Sequence, residues 1–131
     1  ASDLSQQAVD IAIMNAKTAG VDQLIDFQVC DFAETTVPQE EKGIAIFNPE
    51  YGERLGNHSQ LELTYKRVGD FLKQNCKGYR GYIFTGNPDL AKKIGLRASR
   101  KVEFYNGKLD CRLLEYELYE GTREKPKVIY E

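Results

Sequence analysis

The apolar positions along this 131-residue chain change period several times, and each change marks an element. Gln6 to Ala19 is rich in Ala and Ile, follows the N-cap candidate Ser5 and stops at Gly20, so it predicts a helix. Leu24 to Cys30 alternates, with Ile25, Phe27 and Val29 set against Asp26 and Gln28; this predicts a strand with one better-buried face. A polar loop runs through Pro38 and Gln39-Glu40-Glu41-Lys42. Gly43 to Phe47 is a continuous apolar run, the pattern of a central parallel strand covered on both faces. Pro49, Gly52 and Gly56 make Asn48 to Asn57 a loop. From about Ser59 to Lys77, a stripe of Leu61, Tyr65, Val68 and Leu72 has helical spacing and is closed by Gly78. Tyr82-Ile83-Phe84 reads as a short strand. Asn87-Pro88 then sets a cap and a first-turn proline before a short helix, Asp89 to Ile94, ended by Gly95. Residues 98–105 and 108–119 flank Asn106-Gly107, a hairpin signal, and from Glu120 a polar tail frays.

Helices alternating with buried strands imply an α/β fold with a mostly parallel sheet, and the last two strands add an antiparallel hairpin. The length supports one ordinary domain. With 41% apolar and 29% charged residues, disorder is excluded as the main state. The longest apolar run, Ile44-Ala45-Ile46-Phe47, is strand-sized and far short of a membrane span. Cys30, Cys76 and Cys111 are odd in number and lack a CxxC pair, which points away from a disulfide framework or a metal ligand set and toward a reduced, cytoplasmic protein. The net charge of -2 hides a split: residues 1–60 hold 10 acidic and 3 basic side chains, and residues 61–131 hold 10 acidic and 15 basic. Two readings stand for the basic half: a face toward an anionic partner, or ordinary solvated helix surfaces.

In an open α/β sheet, ligands sit outside the carboxyl ends of the strands. Two segments fall at such ends: Cys30-Asp31-Phe32, and Asn48-Pro49-Glu50-Tyr51. The second suits an exocyclic amino group of a nucleobase. The Asn48 side-chain oxygen and the Pro49 carbonyl both accept hydrogen bonds, Pro49 restricts the backbone, and Tyr51 offers a face on which an extruded base can stack.

The run Asn48-Pro49-Glu50-Tyr51-Gly52-Glu53-Arg54-Leu55-Gly56 resembles the Asn-Pro-Pro-Tyr-Gly-x-Arg-Leu signature of S-adenosylmethionine-dependent RNA methyltransferases that carry a THUMP domain, in particular the bacterial 23S rRNA guanine-N2 methyltransferases. Asn87-Pro88-Asp89-Leu90, Leu96-Arg97 and Phe104 to Cys111 resemble that family's C-terminal segment, and Ser2 to Val21 its second strand end and following helix. The resemblance implies a partial Rossmann-like methyltransferase sheet from the order 3-2-1-4-5-7-6, S-adenosylmethionine as cofactor, ribosomal RNA as partner and guanine N2 as the methylated group. It implies that Asn48, Pro49 and Tyr51 orient and stack the base. It also implies that Asp3 binds the cofactor ribose, Asp31 its adenine amino group and Phe32 its ring, with Asn48 shared between cofactor and base.

Each of these residues also has a plainer reading. Asp3 suits the start of a helix, and Asp31 and Phe32 suit a strand end beside the core. Glu50 departs from the motif, standing where the family has a second proline; it reaches either the guanine N1–H and N2–H edge or solvent. Arg54 either orients the loop and touches phosphate or is solvated. Arg97, Arg100 and Lys101 either meet RNA phosphates or blunt a sheet edge. His58 reads as helix-start surface, and Tyr79, Tyr82, Tyr105, Tyr116 and Tyr119 as core and sheet packing. No Gly-x-Gly pair for a cofactor turn occurs. The expectation is therefore that residues 1–120 are the C-terminal portion of a methyltransferase domain, with the first strand, its glycine-rich turn and a THUMP region upstream. Residues 121–131 would be a polar tail, the fragment alone would be inactive, and an exposed sheet edge would favour self-association. Adenine-N6 DNA methyltransferases, which use a related loop, and a non-catalytic fragment that binds a partner are the alternatives.

Overall fold

The structure, a computed structural model, describes residues 1–51 and 58–120. The chain divides into two compact units, Ala1–Val37 and Pro38–Glu131. Arg54 and the tail from Gly121 lie outside the described residues.

The first unit holds strand β1 (Ser2–Asp3), helix α1 (Gln6–Ala19) and strand β2 (Gln28–Val29), with single 3-10 turns at Asp22–Leu24 and Phe32–Glu34. The Ser5 hydroxyl caps α1 by accepting from the Ala8 N–H at 3.2 Å, and Gly20 ends it at φ 75°. β1 and β2 pair in parallel, Ser2 opposite Gln28 and Asp3 opposite Val29. The alternating segment from Leu24 to Cys30 is thus a strand over two residues only. Asp22–Leu24 curls into a 3-10 turn closed by the Ile25 N–H on the Asp22 carbonyl.

The second unit comprises β3 (Ile44–Phe47), α2 (His58–Asn75), β4 (Arg80–Thr85), α3 (Pro88–Ala91) continuing as a 3-10 turn Lys92–Ile94, β5 (Arg100–Asn106) and β6 (Leu109–Glu117). Its sheet has the order β3-β4-β6-β5, with β3 parallel to β4 and β6 antiparallel to both its neighbours. The sheet is mixed, and its order matches the 4-5-7-6 portion of the methyltransferase order, while β2-β1 matches 3-2.

Among the described residues β3 pairs with β4 alone, and Ile44 and Ile46 are 67% and 68% exposed, where the sequence implies a covered strand. In the order 3-2-1-4-5-7-6 the other neighbour of this strand is strand 1. Phe47 anchors β3, meeting Phe71 of α2 edge-on at 6.0 Å. The stripe on α2 is buried as its spacing requires: Tyr65, Val68 and Leu72 join Ile83, Leu90 and Ile94 in the core. Along β4, Gly81, Ile83 and Thr85 are buried while Tyr82 and Phe84 are half-buried, the alternation of a pleated strand.

The hairpin turns one residue later than Asn106-Gly107 implies. Asn106 pairs with Leu109 as the last rung, so Gly107 and Lys108 form the two-residue loop. Gly107 has φ 63° and no non-glycine residue described has positive φ, which is the II′ pattern with glycine first. Of the five tyrosines expected to pack, Tyr79 and Tyr116 are buried and Tyr82 is half-buried. Tyr105 and Tyr119 are instead exposed, because β5 is the other sheet edge and Tyr119 lies just beyond β6. Burial pushes the Tyr116 phenol up to about 12.

Gly69 sits where α2 meets the turn after α3. A Cβ there would stand 1.8 Å from the Ile94 carbonyl oxygen, a backbone atom with nowhere to go. Alanine favours a helix interior over glycine by about 1 kcal/mol, but separating these backbones costs more. Gly69→Ala should lower unfolding free energy by roughly 1–3 kcal/mol net, read as a reduced urea midpoint with an unchanged slope.

Candidate functional site

Because β3 and β4 are parallel, the chain leaves both strands at the same edge of the sheet. Phe47 pairs with Ile83, yet β4 continues to Thr85, so the loop 48–51 runs beside the last residues of β4. Asn48 is exposed, and its side chain makes no hydrogen bond to another described residue. Pro49 is half-buried and confines Asn48 to extended backbone. The Glu50 side chain is exposed, but its backbone carbonyl accepts a hydrogen bond from the Tyr65 hydroxyl at 3.1 Å.

The half-buried Tyr51 ring lies on the sheet face opposite α2. It meets Phe84 edge-on at 6.4 Å, and Phe84 meets Phe104 of β5 at 5.9 Å, so three rings run in edge-to-face series. Gly86 lies against the ring: a Cβ there would be 2.7 Å from Tyr51 Cε2 and 3.0 Å from Leu109 Cδ2. The Cys111 thiol donates to the Tyr51 hydroxyl at 3.8 Å. The neighbouring Cys111 and burial push the Tyr51 phenol above its ordinary range, while Asn106 pulls it back.

At the carboxyl edge of the first unit's sheet, Asp3 ends β1 and Asp31 follows β2. One Asp3 oxygen accepts from the Ser5 N–H at 2.8 Å, and Asp31 caps the turn Phe32–Glu34 by accepting from the Ala33 N–H at 2.9 Å. Asp3 is exposed, whereas Asp31 and Phe32 are half-buried. Two carboxylates stand on adjacent parallel strand ends, with an aromatic beside the second, and can accept from hydroxyl or amino donors. The hydrogen bonds to the Ser5 and Ala33 N–H groups serve the local backbone of both acids, as the plainer reading has it.

The basic residues are less concentrated at the loop. Arg100 bonds Glu115 at 3.2 Å, and Glu115 also engages Arg80 at 3.6 Å. In register, Arg100 lies opposite Glu115, three rungs and about 10 Å from the Thr85–Arg112–Glu103 rung beside the loop. Arg97 and Lys101 are exposed. His58 is surface at the first described residue of α2, 3.1 Å from Glu62. The sequence reading had Tyr65 as packing and passed over Thr85, Gly86 and the contacts of Asn106 and Cys111 with Tyr51. Tyr instead of Phe in a buried stripe was the available signal, since a buried phenol needs a partner.

A family model described as UPF0020, RMKL-like, methyltransferase domain matches residues 1–115. The "Ribosomal RNA large subunit methyltransferase K/L" of Syntrophotalea carbinolica is 40% identical over 121 residues, covering 90% of this chain and 17% of that protein. The crystal structure of "SMU.472, a putative methyltransferase complexed with SAH" superposes with TM-score 0.81 at 26% identity, covering 92% of this chain and 32% of that one. A "predicted N6-adenine-specific DNA methylase" from Listeria monocytogenes superposes with TM-score 0.74 at 26% identity, over 89% of this chain and 29% of that one. The chain thus spans about a sixth of the K/L protein and about a third of each solved chain.

The seat of the Tyr51 ring is testable. In Gly86→Ala the added methyl must displace the ring or Leu109, and the Tyr51 aromatic resonances should shift and broaden in NMR spectra while the resonances of α1 stay in place.

Proposed function

The chain belongs to the UPF0020 family of RMKL-like methyltransferase domains, and we propose on that footing that it is the base-binding part of an enzyme methylating an exocyclic amino group, guanine N2 of ribosomal RNA. The observation that carries the reading is Asn48: an exposed amide without another described partner, next to a proline, on a loop whose following residues are fastened from both sides of β4. The Asn48 oxygen and the Pro49 carbonyl accept from the amino group and turn its lone pair toward the methyl donor. Tyr51 provides the stacking face. S-adenosylmethionine, when bound, supplies the methyl group from its sulfonium centre. Positioning is the main contribution of the protein, because the donor is already reactive. After transfer the nitrogen's proton passes to water, since neither an amide oxygen nor a peptide carbonyl is basic enough to keep it.

Asp3, Asp31 and Phe32 fit the cofactor's ribose, adenine amino group and ring, and Asn48 serves cofactor and base together. Arg54 and Arg97 are assigned to RNA phosphates; Arg100, engaged by Glu115, contributes through the part of its guanidinium left outside that pair. The Glu50 carboxylate, exposed beside the loop, is assigned to the guanine N1–H edge. Residues 1–120 form the C-terminal portion of the domain in this reading, with cytoplasmic location and with RNA engaged by the longer protein.

Full-length protein assayed on ribosomal RNA from a strain lacking the activity should yield N2-methylguanosine. Asn48→Ala should lower kcat by on the order of 100-fold or more, and wild-type turnover would sink the role given to Asn48. N6-methyladenosine as the product would transfer the reading to adenine, whose amino group the same two acceptors accommodate. For residues 1–131 alone, calorimetric titration with S-adenosylmethionine should show a Kd no tighter than roughly 1 mM. Micromolar binding would overturn the proposal that this chain needs the glycine-rich turn of the rest of the protein.

A further inference from the structure

The carboxyl end of β4 is linked to the base loop on two faces, directly through Gly86 and by way of Tyr65 through Thr85. Gly86 lies against the Tyr51 ring, while Thr85, on the α2 side, is 2% exposed and lies 2.8 Å from the Tyr65 hydroxyl. The Asn87 N–H donates to Thr85 Oγ1 at 3.2 Å, and the Tyr65 hydroxyl reaches the Glu50 carbonyl at 3.1 Å. Donor capacity orders this chain. The Glu50 carbonyl only accepts, so the single Tyr65 proton goes to it. The Tyr65 oxygen then receives the Thr85 proton, and the Thr85 oxygen receives the Asn87 N–H. All the hydrogen bonds run one way, from the cap of α3 to the loop, and each polarises the next. Tyr65 is 0% exposed, so water does not compete for its hydroxyl. Burial pushes that phenol up, partly offset by the Thr85 hydrogen bond.

We propose that Tyr65 and Thr85 are positioning residues for methyl transfer, holding the Glu50 carbonyl so that the peptide between Glu50 and Tyr51 has one orientation. The peptide is planar, so fixing its oxygen fixes the direction of the Tyr51 N–H and the start of the Tyr51 side chain. Pro49 restricts the loop from the other end. The Pro49 carbonyl lies between these two restraints, one peptide from the bonded Glu50 oxygen. Its direction toward the base therefore depends on a hydroxyl that never touches the base. Glu50, which replaces the motif's second proline, makes the restraint more necessary: the loop gives up a fixed φ and recovers order through Tyr65. The proposal rests on the reading of Asn48–Tyr51 as the base-binding loop.

The experiment uses full-length protein, radiolabelled S-adenosylmethionine and 23S ribosomal RNA from a strain lacking the activity. Tyr65→Phe keeps ring and volume and removes one hydroxyl. It should reduce kcat 10- to 100-fold with the KM for RNA changed less than threefold, at temperatures well below a thermal midpoint measured in parallel. Amide hydrogen exchange of residues 50 and 51 should accelerate at least tenfold. Thr85→Ser, which retains the hydroxyl, should keep kcat within threefold of wild type, whereas Thr85→Val should fall like Tyr65→Phe, and the double variant should be no worse than either alone. Tyr65→Phe with kcat and exchange unchanged, beside an inactive Asn48→Ala, would overturn the positioning role while leaving the loop reading intact. Full activity in Asn48→Ala would remove the loop reading and this proposal with it. A Tyr65→Phe enzyme that loses activity only in proportion to its unfolded fraction would make the hydroxyl merely structural, which also overturns the proposal.

Discussion

Parallel pairing of β3 with β4 is the constraint on which the site depends. Two parallel strands release their chains at one edge, and the Phe47–Ile83 rung leaves β4 two residues longer than its neighbour. The loop after β3 is consequently not suspended beyond the sheet. It folds over an existing strand end whose residues alternate in direction, with Thr85 facing α2 and Phe84 and Gly86 facing the other side. A slip of one residue would exchange those faces, presenting an apolar ring to the Tyr65 hydroxyl and a hydroxyl to the Tyr51 ring. The register of a four-residue strand therefore decides the chemistry offered to the loop.

Local rules were enough to read the elements whose causes are local. The cap and stop of α1, the stripe of α2, the proline at the start of α3 and the existence of the hairpin all depend on neighbours within a few residues. What failed depended on distant partners. Of Leu24–Cys30, Leu24 belongs to a 3-10 turn and only Gln28–Val29 pairs with β1, and an alternating pattern contains no information on pairing. Ile44 and Ile46 have the composition of a central strand and are exposed among the described residues. Tyr105 and Tyr119 show the converse: a large aromatic at a sheet edge looks in sequence the same as one in a core. In the candidate site, the place of Asn48, Pro49 and Tyr51 on a loop at a strand end was legible in the sequence. Their supports were not, since Tyr65, Thr85 and Cys111 come from three other elements and meet the loop only once the sheet forms.

Charge is distributed differently from what the sequence halves imply. The basic excess of the second half is partly spent within the sheet, where Glu115 draws on Arg80 and Arg100 and Arg112 meets Glu103 and Asp110. Such pairs reduce the charge left free on the sheet. Arg97, Lys101 and Lys108 are exposed toward β5 and the hairpin, and Lys66, Arg67, Lys73, Lys77, Lys92 and Lys93 are exposed on and beside the helices, so the basic excess is spread over more than one face.

The II′ turn at Gly107–Lys108 has a consequence for how this sequence can drift. Cys111 contacts Tyr51 across 60 positions of chain, and Leu109 reaches the same ring's surroundings, because the turn fixes which faces of β6 they occupy. A single inserted or deleted residue at the hairpin tip would invert that choice for every side chain up to the next bulge. Hairpin tips ordinarily tolerate such changes in length. Here the tip's length is coupled to a loop it never pairs with, so lineages keeping this loop should vary the tip by substitution and hold its residue count constant.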